Sequence, residues 1–211
     1  MEDQREKWDE IFHRIGYRTP DRSSWLERWE EILESSRGIP ILELGCGGGQ
    51  DTRFLVERGF PVIATDFSEE ALKLTRRNAP EAEVRHLDMT RGLPFPSESF
   101  QVVVASLCLH YFPWRETVGI AAEIHRCLKP NGFLLVRLNS RDDEFYKSAE
   151  KQRIEENFYL VDGMPKRLFD RKSLEALFAE GWKIASAEER TTGRFGGAKT
   201  LWEIAVKKLT G

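Results

Sequence analysis

The chain is short of the residues that carry metal and redox chemistry. Its 211 residues include three cysteines, Cys46, Cys108 and Cys127, and four histidines, His13, His86, His110 and His125. None of them stand at the close spacings of a metal site, so no metal is expected. Three scattered cysteines make no disulfide framework and suit a reduced, cytoplasmic protein. Long apolar runs are also missing. The most apolar stretch, Val102 to Leu109, falls far short of the ~20 residues a membrane span needs. The start, Met1-Glu2-Asp3-Gln4-Arg5-Glu6-Lys7, is charged and has no apolar core of a secretory signal. Neither sign of charge dominates: 32 Lys and Arg against 35 Asp and Glu leave −3. That balance argues against a bulk electrostatic nucleic-acid binder. What the chain does have is aromatic mass, with 13 Phe, 6 Trp and 4 Tyr. Together with its length, this predicts one folded domain with a sizeable core.

The order of elements carries the fold. Residues 3–15 have Trp8, Ile11, Phe12 and Ile15 on one helical face, and residues 23–35 have Leu26, Trp29 and Leu33 on another. From Ile39 the pattern alternates between apolar strands and amphipathic helices. Strands are predicted at 39–44, 61–65, 82–87, 101–106 and 133–136. Helices are predicted at 50–58, from Ser68 to Pro80, and at 115–128. Such alternation means a parallel, doubly wound sheet with helices on both faces. Residues 140–168 show no clear period. Asp170 then caps a helix closed by Gly181, and 182–188 and 200–207 read as an antiparallel hairpin.

The most informative stretch is Glu43-Leu-Gly45-Cys46-Gly47-Gly48-Gly49, between the first strand of the alternation and its helix. Glycines there let the backbone turn sharply and approach a ligand closely. In a doubly wound sheet, ligands bind beyond the carboxyl ends of the strands. The dinucleotide pattern G-x-G-x-x-G fails, because its third glycine falls on Gln50, and the G-K-[ST] of a P-loop is absent.

An acid followed by G-x-G-x-G is instead motif I of the class I S-adenosylmethionine-dependent methyltransferases, and residues 39–138 resemble that superfamily. Asp66 closes the second strand, where the family's acid accepts hydrogen bonds from ribose hydroxyls. His86-Leu-Asp88-Met89 ends the third, where the family's Asp takes the adenine amino group. Pro94-Phe-Pro-Ser-Glu-Ser-Phe100-Gln101 resembles the family's approach to strand four, with Gln101 in place of its usual Asp. Ala105-Ser106-Leu107-Cys108-Leu109-His110-Tyr111 matches the strand-four exit, and Leu128-Lys-Pro-Asn-Gly132 the turn before strand five. The resemblance implies a seven-stranded sheet in order 3-2-1-4-5-7-6 with strand seven antiparallel. It also implies S-adenosyl-L-methionine as cofactor and S-adenosyl-L-homocysteine as product. The implied cofactor set is Tyr17, Glu43, Gly45, Cys46, Gly47, Gly49, Asp66, Phe67, Asp88, Met89, Ser106 and Leu107.

In this reading residues 1–38 form a helical lid, 39–138 the cofactor-binding core, 139–170 an acceptor-side insert, and 171–211 a helix and hairpin. Trp8, Phe12, Tyr17, Trp25 and Trp29 serve as core packing or as aromatic cover over a cationic sulfonium, with Tyr17 the candidate contact. His110 is the candidate general base, since an imidazole titrates near neutrality. His110, Tyr111, Trp114, Asn139 and Tyr146 are the candidate acceptor contacts. The insert more loosely resembles small bacterial methyltransferases of the tellurite-resistance type. No N-P-P-Y follows strand four and no Pro-Cys nucleophile is present, which leaves a small-molecule acceptor methylated by in-line displacement. A non-catalytic binding module and a nicotinamide oxidoreductase stay open, as do monomer and homodimer.

Overall fold

A computed structural model describes residues 2–16, 24–193 and 197–210. In chain order the elements are α1 (Glu2–Ile15), a 3-10 turn (Trp25–Trp29) continuing into α2 (Glu30–Glu34), and β1 (Ile41–Leu44). Then come α3 (Gln50–Glu57), β2 (Val62–Asp66), α4 (Glu69–Asn78) and β3 (Glu83–His86). A 3-10 turn (Met89–Arg91) leads to β4 (Phe100–Ser106), a second (Leu109–Tyr111) to α5 (Trp114–Cys127) and β5 (Leu128–Asn139). The last part holds α6 (Glu144–Ser148), β6 (Gln152–Glu155), β7 (Phe158–Val161), β8 (Met164–Arg167), α7 (Arg171–Leu177), β9 (Trp182–Thr192) and β10 (Lys199–Lys208).

Seven strands form one sheet in the order β3-β2-β1-β4-β5-β10-β9. β1 to β5 pair in parallel, β10 runs antiparallel to β5, and β9 antiparallel to β10. This is the expected order 3-2-1-4-5-7-6. Val102, Val103, Val104 and Ala105 of β4 are wholly buried; a central parallel strand is covered on both faces and reads as a continuous apolar run. One face packs on α5 and α7 through Ile120, Ile124, Leu174 and Phe178. The other packs on the N-terminal turn and α3 through Trp25, Leu26, Trp29, Leu33 and Phe54. Each such side chain stabilises by roughly 1.5–3 kcal/mol.

Local sequence sets the ends of these elements. Ser68 caps α4, accepting from the Ala71 N–H at 3.1 Å, and Glu69 and Glu70 sit in the first turn, where the helix dipole favours acids. Ser24 and Glu27 form a capping box at the Trp25 turn. The Lys129–Gly132 turn bulges out of β5: Phe100 pairs with Leu128, and Val102 with Phe133.

The segment without a clear period has an order of its own. β6, β7 and β8 form a separate antiparallel sheet. Tyr146, Val161 and Leu168 give it a small core of its own. The β7–β8 connection is Asp162-Gly163, with φ of +51° and +74°; two central residues at positive φ make the tight turn that suits a twisted hairpin.

Candidate functional site

The loop after β1 defines the site. Gly45 has φ +66°, and a Cβ there would lie 2.5 Å from the Cβ of Cys108; Gly49 has φ +79°, and its Cβ would lie 2.9 Å from the Cα of Thr75. Only glycine fits either position. Gly49 therefore serves loop–helix packing against α4 and is not on the cavity wall described next.

A cavity of about 430 Å³ opens at the carboxyl ends of β1, β2, β3 and β4, within the size range of small-molecule sites. Of the residues the resemblance pointed to, Glu43, Gly45, Cys46, Gly47, Asp66, Phe67, Asp88, Met89, Ser106, Leu107 and Tyr111 line it. Tyr17 lies outside the described residues. His110, Trp114, Asn139 and Tyr146 are not on the wall. The cavity gathers others that the sequence did not single out for it: Gln50, Asp51, Thr90, Phe112 and, from β5, Arg137.

Each acid is held in a distinct way. Asp66 accepts the Gly47 N–H on one carboxylate oxygen and the Ser68 N–H on the other, both at 2.9 Å. It thereby ties the glycine loop to the start of α4, and burial raises its pKa. Asp88 accepts the N–H of Thr90 at 3.1 Å and its hydroxyl at 2.6 Å, so it caps the Met89 turn while facing the cavity. Glu43 is buried and accepts the Thr52 hydroxyl at 2.6 Å. Burial first, then the Asp51 carboxylate, holds its carboxyl well above the usual range. Asp51 accepts from the Ser24 hydroxyl and the Trp25 indole, both at 2.8 Å. Arg137 donates twice to the Ser106 hydroxyl at 3.0 and 2.8 Å, and its guanidinium lies 3.9 Å from Asp51.

An aromatic wall stands opposite the loop. Trp8 and Phe12 of α1 stack with ring centres 5.7 Å apart, and Tyr111 meets Trp8 edge-on at 4.9 Å. The helical periodicity of 3–15 was legible in the sequence, and it is this apolar face that turns to the cavity. Trp25 and Trp29 are buried in the core instead. Arg137 carried a readable signal: it is a charged residue directly continuing the apolar run Phe133–Val136. Among the described residues no group of three His, Cys, Asp or Glu side chains could hold a metal ion, and no helix is long and apolar enough to cross a membrane.

A doubly wound sheet ending in an antiparallel strand pair, with a glycine loop and two strand-end acids around one cavity, defines a class of protein. Residues 41–132 match the family model described as a methyltransferase domain. That match spans somewhat less than half of the chain, and the fold is similar to that of solved S-adenosylmethionine-dependent methyltransferases. The chain is similar to an uncharacterized methyltransferase of Synechocystis sp., 37% identical over 110 residues, which are 52% of this chain and 51% of that one. It is also similar to the demethylmenaquinone methyltransferase of Listeria welshimeri, 29% identical over 117 residues, 52% of this chain and 49% of the relative. The chain thus spans about half the length of the curated relatives it matches. Among solved structures, an S-adenosylmethionine-dependent methyltransferase of Methanosarcina mazei superposes with a TM-score of 0.73 at 23% identity, over 82% of this chain and 93% of that one. The 1,6-didemethyltoxoflavin-N1-methyltransferase of Burkholderia thailandensis, solved with bound 1,6-didemethyltoxoflavin and S-adenosylhomocysteine, gives 0.66 at 19%, over 88% and 78%. At these identities the likeness is one of fold.

Proposed function

We propose that the protein binds S-adenosyl-L-methionine in this cavity and transfers its methyl group to a small-molecule acceptor, releasing S-adenosyl-L-homocysteine. The observation that carries the reading is the pairing of the bare glycine loop with two carboxylates, Asp66 and Asp88, on the wall of one cavity. A carboxylate oxygen has two acceptor positions. Asp66 spends one on each side holding backbone N–H groups and keeps the others for a pair of ribose hydroxyls. Asp88 spends Oδ1 on the Thr90 N–H and hydroxyl and pairs Oδ2 with Arg91 at 3.2 Å, so its remaining acceptor position for an exocyclic amino group is on Oδ2, with Phe67, Leu87 and Met89 as apolar neighbours for a base.

When bound, the cofactor supplies an electrophilic methyl carbon that a nucleophile attacks in line with the departing thioether. The protein's part is to hold the two partners and keep water away. Positioning alone can supply roughly 7–11 kcal/mol of barrier reduction. Trp8, Phe12 and Tyr111 cover the cavity with ring faces and edges, and an aromatic face attracts a cation by ~0.5–2 kcal/mol. In this reading α1 is the lid and the 139–170 insert faces the acceptor. Ser106 and Leu107 form the floor beside Arg137. His110, held neutral by its burial, is in the form a proton acceptor needs, and it stands behind Tyr111 rather than on the wall. The buried thiols of Cys46 and Cys127 suit a reducing compartment such as the cytoplasm.

Titration calorimetry with S-adenosylhomocysteine and with NAD tests the reading. Micromolar binding of the first and none of the second is expected, with at least tenfold weakening in Asp66→Ala. Asp88→Asn is a second variant that spares the loop anchor and should weaken binding as well. NAD binding, or an S-adenosylhomocysteine affinity indifferent to both substitutions, overturns it.

A further inference from the structure

The wall of the cavity is lopsided in charge. Glu43, Asp51, Asp66 and Asp88 stand on it, and among the described residues Arg137 is its one cation. These groups follow the order of the sheet, β3-β2-β1-β4-β5. Asp88 follows β3, Asp66 closes β2, the glycine loop follows β1, Ser106 closes β4, and Arg137 pairs with Ser106 from β5. Arg137 therefore lies at the far end of the row from the two acids proposed for the adenosyl group.

Its side chain is held in one place. Arg137 is 6% exposed. Nε and Nη2 both donate to the Ser106 hydroxyl, at 3.0 and 2.8 Å, and the Leu107 N–H donates to the Arg137 carbonyl at 3.0 Å. The guanidinium lies 5.0 Å from the ring centre of Trp25. Asp51 faces it from 3.9 Å, beyond hydrogen-bond range. The oxygens of Asp51 accept from the Ser24 hydroxyl and the Trp25 indole. A guanidinium fixed by a hydroxyl and a ring is a planar fork, and that geometry matches a carboxylate.

We propose that Arg137 binds the α-carboxylate of the cofactor's methionyl tail, and so makes the cavity selective for ligands with an amino-acid tail over plain thioether nucleosides. The inference rests on the methyltransferase reading of the cavity and adds a second anchor to it. The charges match. The cofactor carries a sulfonium and an ammonium, which suit a wall rich in acids, and one carboxylate, which suits its one cation. The sulfur lies between the two anchors, so the direction of the methyl group is set from both ends. Arg137 lies beyond residues 41–132, outside the segment that the methyltransferase domain model matches.

Titration calorimetry without acceptor tests this with three ligands. They are S-adenosylhomocysteine, its α-carboxamide, and 5′-methylthioadenosine, which keeps the nucleoside and thioether but lacks the tail. The wild type should bind S-adenosylhomocysteine at least tenfold more tightly than the carboxamide. In Arg137→Met that ratio should fall to within threefold, while the affinity for 5′-methylthioadenosine stays within threefold of the wild type. Arg137→Lys keeps the charge without the fork and should retain an intermediate preference. Equal binding of carboxylate and carboxamide by the wild type overturns the inference, whether or not the variants fold. So does a preference that survives Arg137→Met, or an Arg137→Met protein that loses 5′-methylthioadenosine as well, since the residue would then serve the frame alone. An arginine meant for a carboxylate on the acceptor would show as an indifferent ratio. The failures are distinguishable: a wild type that binds none of the three removes the cofactor reading too, and nucleoside binding without carboxylate preference removes only this inference.

Discussion

At the ends of β1, β2 and β3 the ionisable side chains around the cleft are Glu43, Asp51, Asp66 and Asp88. Beyond β4 and β5 Arg137 reaches the cleft, and behind its wall lie His110, Lys166 and Lys199 with Asp143 and Asp162 beside the lysines. The acids of the first group are anchored by local bonds, to backbone N–H groups at Asp66 and Asp88 and to hydroxyls at Glu43. The lysines of the second lean on an aromatic ring in a setting that disfavours their charge. The acidic end falls within residues 41–132, the part matched by the methyltransferase domain model. Arg137, Lys166 and Lys199 fall outside it. On the proposed reading, the chemistry common to methyltransferases rests on the matched segment, which also contains His110, and what is particular to this protein rests on the residues outside it.

The contrast can be broken at either end. Gly45→Ala should have the largest effect. The positive φ and the 2.5 Å approach to Cys108 combine backbone strain with overpacking, for a loss of about 3 kcal/mol or more in denaturant unfolding. A near-neutral result would mean that the loop is adaptable and the acidic end is not rigidly built. Lys199→Met should act the other way and raise stability at pH 7 by ~1–3 kcal/mol, because it removes a half-buried ammonium whose charge is disfavoured by desolvation. The folded-state pKa of about 8 lies below the unfolded value near 10.5, so the unfolded chain binds more protons between these two values. The wild type therefore recovers stability as pH rises from 8 to 10.5, and the gap to the variant should close over that window in thermal melts. A gap that is constant with pH would mean that the lysine's charge is not the cause.

The smallest effect is expected under the floor of the acidic end. Glu123 of α5 accepts the Leu93 N–H at 3.0 Å and pairs with Arg126 at 2.8 Å. The Arg126 hydrogen bond is the main cause that holds its carboxyl down to about 2. Glu123→Gln should cost about 1 kcal/mol at neutral pH, given its partial exposure. A depressed carboxylate contributes above its unfolded pKa near 4.5 and loses that contribution toward 2. The difference between wild type and variant should therefore shrink as pH falls below about 4.5.

The alternating half was legible because its physics is local. A buried parallel strand such as Gln101–Ser106 reads as an apolar run, and Ser68 announces the helix it caps. The final hairpin, β9 and β10, was equally plain. The insert was not. β6 and β8 are four residues each and mixed in polarity, and β7 is an apolar run of only four, so no period of two stands out. The Asp162-Gly163 pair between Val161 and Met164 was the available hairpin signal. For the site, the glycine loop and the strand-end acids were readable from spacing. The gathering of Lys166 and Lys199 on Tyr146 was not, since it joins strands of two different sheets.

One detail of the insert bears on how such a protein can change. It leaves and rejoins the main sheet at a single point: Ser140 bridges Phe169, the Phe169 N–H donates to the Asn139 carbonyl, and the Arg141 N–H to that of Phe169. A segment with adjacent stems and its own Tyr146–Val161–Leu168 core can be lengthened, shortened or exchanged at small entropic cost to the rest. Its other ties to the rest of the fold are few, among them Glu155 to the Trp114 N–H, Arg167 to the Phe112 carbonyl and Asp143 to the Thr200 N–H. If the proposed function holds, selection could redesign the acceptor side while the glycine-loop side stays untouched, and grafting residues 141–168 between relatives is the corresponding laboratory route.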